Sequence, residues 1–153
     1  MARVFPPPGV ALAVLSADVS NNTTTVAAVG DLQFTPAPGG VYFVEVYGLF
    51  TAAAGTTGDQ WRIDAGNAVS GGVELRSRGS ASTNNAVQTG SIGTTLALGL
   101  SSDTGENIFW GFGIIQAHAT APTAIQVYFA SEVGGSAVTL KAGKCFMRWT
   151  RIS

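Results

Sequence analysis

The chain has 153 residues, and only 11% of them are charged, with a formal net charge of −1; about 25% is usual for a soluble domain. The 8 basic residues are scattered, so no stripe neutralises several phosphates, and nucleic-acid binding is excluded. A single cysteine, Cys145, excludes an internal disulfide, and no apolar run approaches the ~20 residues of a membrane span.

Residues 1–9, MARVFPPPG, cannot join a core. Pro6, Pro7 and Pro8 hold an extended polyproline conformation without internal hydrogen bonds. Ahead of them Arg3, Val4 and Phe5 offer one charge and two apolar side chains. Two readings stand: a frayed tail, or a stiff arm that lies along a neighbouring subunit at low entropic cost. The apolar run 10–15 followed by Ser16-Ala17 has the outline of a secretory leader. It is short, and the three prolines stand where its helix would begin, so no signal peptide is expected.

Residues 10–153 read as one domain, long enough to bury roughly 70% of its unfolded surface. A short apolar strand spans 10–16, and Asn21-Asn22-Thr23 turns. Strands at 24–29 and 32–35 are separated by Gly30-Asp31. Pro36-Ala37-Pro38-Gly39-Gly40 is the strongest punctuation in the chain. It leads into 41–51, VYFVEVYGLFT, the longest run of β-branched and aromatic residues. With a period of two, Tyr42, Val44, Val46 and Phe50 share one face, and Val41, Phe43, Glu45, Tyr47 and Leu49 the other. Glu45 must reach water or a partner, which assigns the first set to the core. The Glu45 face is nonetheless greasy, and this predicts that another sheet or another copy of the chain covers Phe43, Tyr47 and Leu49.

After a small-residue loop at 52–58, residues 60–65 alternate with Trp61 and Ile63 inward and Arg62 and Asp64 outward. Residues 73–78 alternate with Val73 and Leu75 inward and Glu74 and Arg76 outward. Residues 79–93 read as a long surface loop crossed by a short strand near Val87, and 94–100 as a strand. In 108–119, Ile108, Trp110, Phe112 and Ile114 share one face, and Phe109, Gly111, Gly113 and Ile115 the other. Both faces are apolar, as in a central strand, and the alternate glycines mark a close approach by a ring or another backbone. Ile125, Val127 and Phe129 point inward from 124–130. The final strand, 144–152, sends Cys145, Met147 and Trp149 inward and Lys144, Arg148 and Thr150 outward.

Some nine to eleven short strands, with glycine at the breaks and no helical period, predict an all-β fold: an antiparallel two-sheet β-sandwich, jelly-roll-like. The connections after Thr35, Ala65 and Arg78 are long enough for Greek-key crossings.

Catalytic signatures are missing. His118 stands alone, without the three or four ligands of a metal site. Asp103-Thr104-Gly105 has the letters of an aspartic-protease triplet but sits in a serine-rich turn. Asp59 and Asp64 around Trp61 fit a sugar-binding face less well than a core tryptophan between two solvated acids. No catalytic, cofactor or metal residue is therefore assigned, and the expectation is a non-enzyme without a cofactor.

The last third, AIQVYFASEVGGSAVTLKAGKCFMRWTRI (124–152), resembles the C-terminal end of small structural proteins of tailed bacteriophages, where a Gly-rich turn, a V-T-L-K-A-G hairpin and a basic-aromatic strand close a β-sandwich. Residues 18–46 are similar to the front half of such a domain. The resemblance implies a virion component. Its leading form is a capsid decoration (cement) protein, made in the host cytoplasm and bound outside the shell. Its partners would be the major capsid protein and copies of itself, as a homotrimer or alternatively a dimer. On that expectation Arg3, Val4, Phe5, Pro6, Pro7 and Pro8 contact the capsid, and Phe43, Tyr47 and Leu49 form the subunit interface. The alternative is a tail-fibre or spike domain binding host glycans through loops 52–58 and 79–93.

Overall fold

Hydrophobic alternation of period two runs through nearly every segment, and the chain resolves it by stacking two antiparallel sheets. The computed structural model describes residues 10–78, 86–98 and 104–153. The expected arm at 1–9 and the turn residue Asp103 lie outside them.

The strands are β1 (Ala11–Val14), β2 (Val19–Asn21), β3 (Ala27–Phe34), β4 (Val41–Ala52), β5 (Asp59–Asp64), β6 (Ser70–Arg78), β7 (Ala86–Ser91), β8 (Leu96–Ala97), β9 (Asn107–Gln116), β10 (Ile125–Ser131), β11 (Val138–Leu140) and β12 (Phe146–Arg151). No helix occurs among the described residues. The large sheet runs β1-β12-β4-β9-β6-β7, with β11 and β2 continuing its β12/β1 side beyond a turn at residues 141–145. The small sheet runs β3-β10-β5-β8. Most successive strands change sheet, as from β2 to β3, β3 to β4 and β4 to β5. That alternation makes the fold a jelly-roll β-sandwich.

One aromatic cluster ties the sheets together. Trp61 from the small sheet stacks on Phe109 from the large one at 3.8 Å between ring centroids, with Phe50 edge-on and Phe129 behind. All four rings are essentially fully buried, each contributing about 1.5–3 kcal/mol of transfer free energy. At the other end, Trp149 stacks on Phe34 at 4.3 Å. The inward faces read from the sequence for β4, β5, β6, β10 and β12 are the observed ones. The glycines of β9 face inward, where a Cβ on Gly111 would strike Leu75 and come within 2.6 Å of the Glu74 carbonyl.

Several expectations need correction. Gly30-Asp31 does not end a strand. β3 runs through it, with a register shift against β10 that absorbs the extra residues. Asp31 is held there by the Ser16 amide (2.8 Å) and hydroxyl, which keep its carboxyl below the usual range. The connection after Arg78 is not a crossing either: β6 and β7 pair antiparallel as a hairpin. β8 is only two residues long.

Candidate functional site

The registers across the large sheet align its outward side chains in rows. One row contains Thr150, Phe43, Ile114 and Gly72. The next contains Leu12, Arg148, Glu45, Phe112, Glu74 and Thr89. A third contains Val14, Phe146, Tyr47, Trp110, Arg76 and Val87. Leu49 and Ile108 lie opposite each other beyond it. This outer face is therefore mostly aromatic and aliphatic. Phe43, Tyr47 and Leu49 are half-buried by their neighbours, whereas Phe112 is 43% and Ile114 55% exposed.

Charges on this face are paired within it. Arg148 forks onto both carboxylate oxygens of Glu45, one bond being 2.8 Å. That contact holds the guanidinium's pKa above its usual value. Arg76 donates to Glu74 at 2.6 Å and lies 6.0 Å over the Trp110 ring. The Tyr47 and Phe146 rings stack at 5.3 Å, and Phe43 and Phe112 meet at 6.3 Å. Where Gly72 lacks a side chain the face opens into a groove of about 440 Å³, bounded by Phe43, Glu74, Thr89, Phe112 and Ile114.

The outer face of the small sheet is the opposite in character. It carries Gln33, Gln60, Arg62, Asp64, Gln126 and Tyr128. Arg62 lies over the Tyr128 ring at 4.4 Å and 3.5 Å from Asp64. Only one of the two faces lacks a polar coat, and it is the one that carries Phe43, Tyr47 and Leu49. Sequence reading found the β4 contribution. It did not say that the Ile108, Trp110, Phe112 and Ile114 side of β9 joins the same surface, since two apolar faces on one strand leave the choice open.

The residues weighed for chemistry are dispersed. Cys145 is fully buried, and that burial raises its thiol pKa. The Nδ1 atom of His118 accepts from the Thr120 and Ala121 amides at 3.3 Å and shapes a loop. No group of three or more His, Cys, Asp or Glu side chains could hold a metal among the described residues. The expectation of two solvated acids around Trp61 is half wrong. Asp64 is half-exposed, but Asp59 is fully buried at the start of β5. Its carboxylate accepts from the indole N–H of Trp61 and, at 3.0 Å, from the Ser77 hydroxyl. Burial, only partly opposed by these bonds, pushes its pKa up to about 6.

Searches with the chain found no matching family model and no matching curated protein. Among solved structures, it is similar to an Eiger TNF from S. frugiperda, at 12% identity over 97% of this chain and 94% of that one, with a TM-score of 0.47. It is also similar to the VP2 subviral particle of infectious bursal disease virus, at 6% identity and a TM-score of 0.27, covering 95% of this chain but 37% of VP2. The strand order, not these likenesses, defines the jelly roll.

Proposed function

We propose that this protein is a structural component of a virion, a capsid decoration protein that binds the major-capsid lattice as a homo-oligomer, trimeric in preference to dimeric. Its work is mechanical, with no catalytic step and no cofactor. The observation that carries the reading is the outer face of the large sheet, apolar across five strands and with its own charges already paired. Copies meet through Phe43, Tyr47 and Leu49 together with the facing side of β9. Arg3, Val4, Phe5 and the triproline grip the shell from its exterior. Apolar burial at about 25 cal/mol per Å², repeated over many copies, opposes internal pressure.

The test combines solution mass with shell binding. Wild type should sediment as an oligomer and coat emptied capsids. Tyr47→Asp with Phe112→Asp should sediment as a monomer with an unchanged circular-dichroism spectrum. Deleting residues 1–8 should abolish coating and spare the fold. A wild type that stays monomeric at high concentration and leaves shells bare overturns the proposal. Adsorption to host cells instead of shells would favour the fibre-tip alternative.

A further inference from the structure

We propose that the open rim of β1 pairs with the same rim of a second copy, antiparallel about a two-fold axis centred on Ala13. The rim is separate from the outer-face contact proposed above, and its geometry does not depend on that contact. β1 ends the large sheet on its side and pairs only with β12. The Leu15 amide donates to the Cys145 carbonyl at 2.9 Å, and the Leu15 carbonyl accepts from the Gly143 amide at 2.8 Å. Both backbone groups of Leu15 thus point toward the β12 side. That direction alternates along an antiparallel strand. Ala11 and Ala13 therefore bond β12, whereas Leu12 and Val14 turn their N–H and C=O groups away from the sheet. Ser16 shares the outward direction, and its amide donates to Asp31 at 2.8 Å. Among the described residues, nothing takes the outward groups of Leu12 and Val14 in the same way.

Edge strands are ordinarily guarded by a charge, a proline, a bulge or extreme shortness. The edges of the small sheet follow that rule. β8 is two residues long. β3 carries Asp31 and a register shift, and the Gln33 and Gln126 side chains donate to the Gly30 and Val29 carbonyls at 2.8 and 3.4 Å. Residues 10–15, VALAVL, have no such guard. Leu12 is 59% exposed, and Val14 is exposed beside it.

The occupant that fits is the same strand of another copy. A two-fold axis sets a surface against itself, so any charge on the rim would face its own counterpart, and this rim has none. Centred on Ala13, the ladder sets Leu12 of each copy against Val14 of the other, and each such pair exchanges both of its N–H···O=C bonds. Leu12 and Val14 then pack side by side, and only methyl groups meet at the axis. A centre at Val14 would set Leu12 against Ser16, whose amide Asp31 already holds. A ladder this short buries far less than the ~1,200 Å² of a stable complex. Single chains therefore pair in this way only at high concentration. Oligomers that bring several rims together gain from effective concentration and join side by side.

The experiment traps the pair covalently in the full chain. Across the axis Ala13 meets its counterpart as a non-hydrogen-bonded pair, with Cα atoms ~4.5 Å apart, within disulfide reach. Ala13 is only half-buried at the rim. Concentrated Ala13→Cys protein oxidised with diamide should therefore run as a disulfide-linked dimer on a non-reducing gel. Wild type, whose Cys145 is buried, should stay single. Leu12→Cys lies diagonal to its counterpart, ~7–8 Å away, and should link about tenfold more slowly. Leu12→Pro added to Ala13→Cys removes an outward N–H and no bond to β12, so it should suppress the link. Leu12→Lys should suppress it as well by setting like charges near the axis, and it keeps the test open if the proline alters the circular-dichroism spectrum. Ala13→Cys combined with Tyr47→Asp and Phe112→Asp should still link, which separates this contact from the outer-face one. No link in Ala13→Cys, a faster link in Leu12→Cys, a yield that Leu12→Lys leaves unchanged, or loss of the link with the outer-face substitutions overturns the pairing.

Discussion

Asp59 makes the stability of this sandwich depend on pH with an unusual sign. Its pKa is about 6 in the folded chain against 3.8 for an ordinary aspartate. The native state therefore holds a proton that the unfolded chain has released between about pH 4 and 6. Stability follows the difference in bound protons, so it must fall as pH rises through that window and level off above it. The shift of about two pK units corresponds to roughly 3 kcal/mol, at 1.36 kcal/mol per unit, and to a Tm lower by about 6–12 °C at neutral pH. Asp59→Asn keeps the shape, accepts the Trp61 N–H through its carbonyl and donates its amide to Ser77. It should remove the slope and make the protein more stable than wild type at pH 7. Asp59→Ala should also remove the slope, but below about pH 4 it should be less stable than wild type by about 1–3 kcal/mol, because the buried indole N–H and Ser77 hydroxyl lose their acceptor. Urea midpoints from pH 4 to 7.5, followed by tryptophan fluorescence, measure all three. Wild-type stability that rises across this range, or an Asn variant that runs parallel to wild type, refutes the argument.

Other perturbations have equally definite outcomes. Gly48→Ala should cost about 1–3 kcal/mol by overpacking, because its Cβ would strike the Phe109 ring and come within 2.6 Å of Cys145 Sγ; an unchanged urea midpoint would contradict it. Trp149→Ala should lose about 3–5 kcal/mol with the Phe34 stack, read in the same assay. Arg148→Ala should change stability by less than about 1 kcal/mol, since its side chain is 45% exposed and the ion pair is screened. Cys145 should ignore a thiol reagent in the native state and react once urea unfolds the chain, its burial both blocking access and disfavouring the thiolate.

The sequence by itself determined the inward and outward sets along β4, β5, β6, β10 and β12, together with the all-β class. Those are local properties: alternation is read within a few residues, and Gly and Pro mark the breaks. It also exposed the greasy back of β4, because a single Glu45 among Phe43, Tyr47 and Leu49 is anomalous without any partner in view. Tertiary structure alone decided which distant strands became neighbours. Pairing β12, β4, β9 and β6 turned isolated apolar residues into continuous rows, and pairing β6 with β7 replaced an expected crossing with a hairpin. It alone buried Asp59, a residue that reads locally as a solvated acid beside Trp61. Its acceptor role depends on Ser77 from the opposite sheet, a contact between residues 18 positions apart. Register between remote segments and the desolvation of one carboxyl are set by the whole packed sandwich, and no window of sequence contains them.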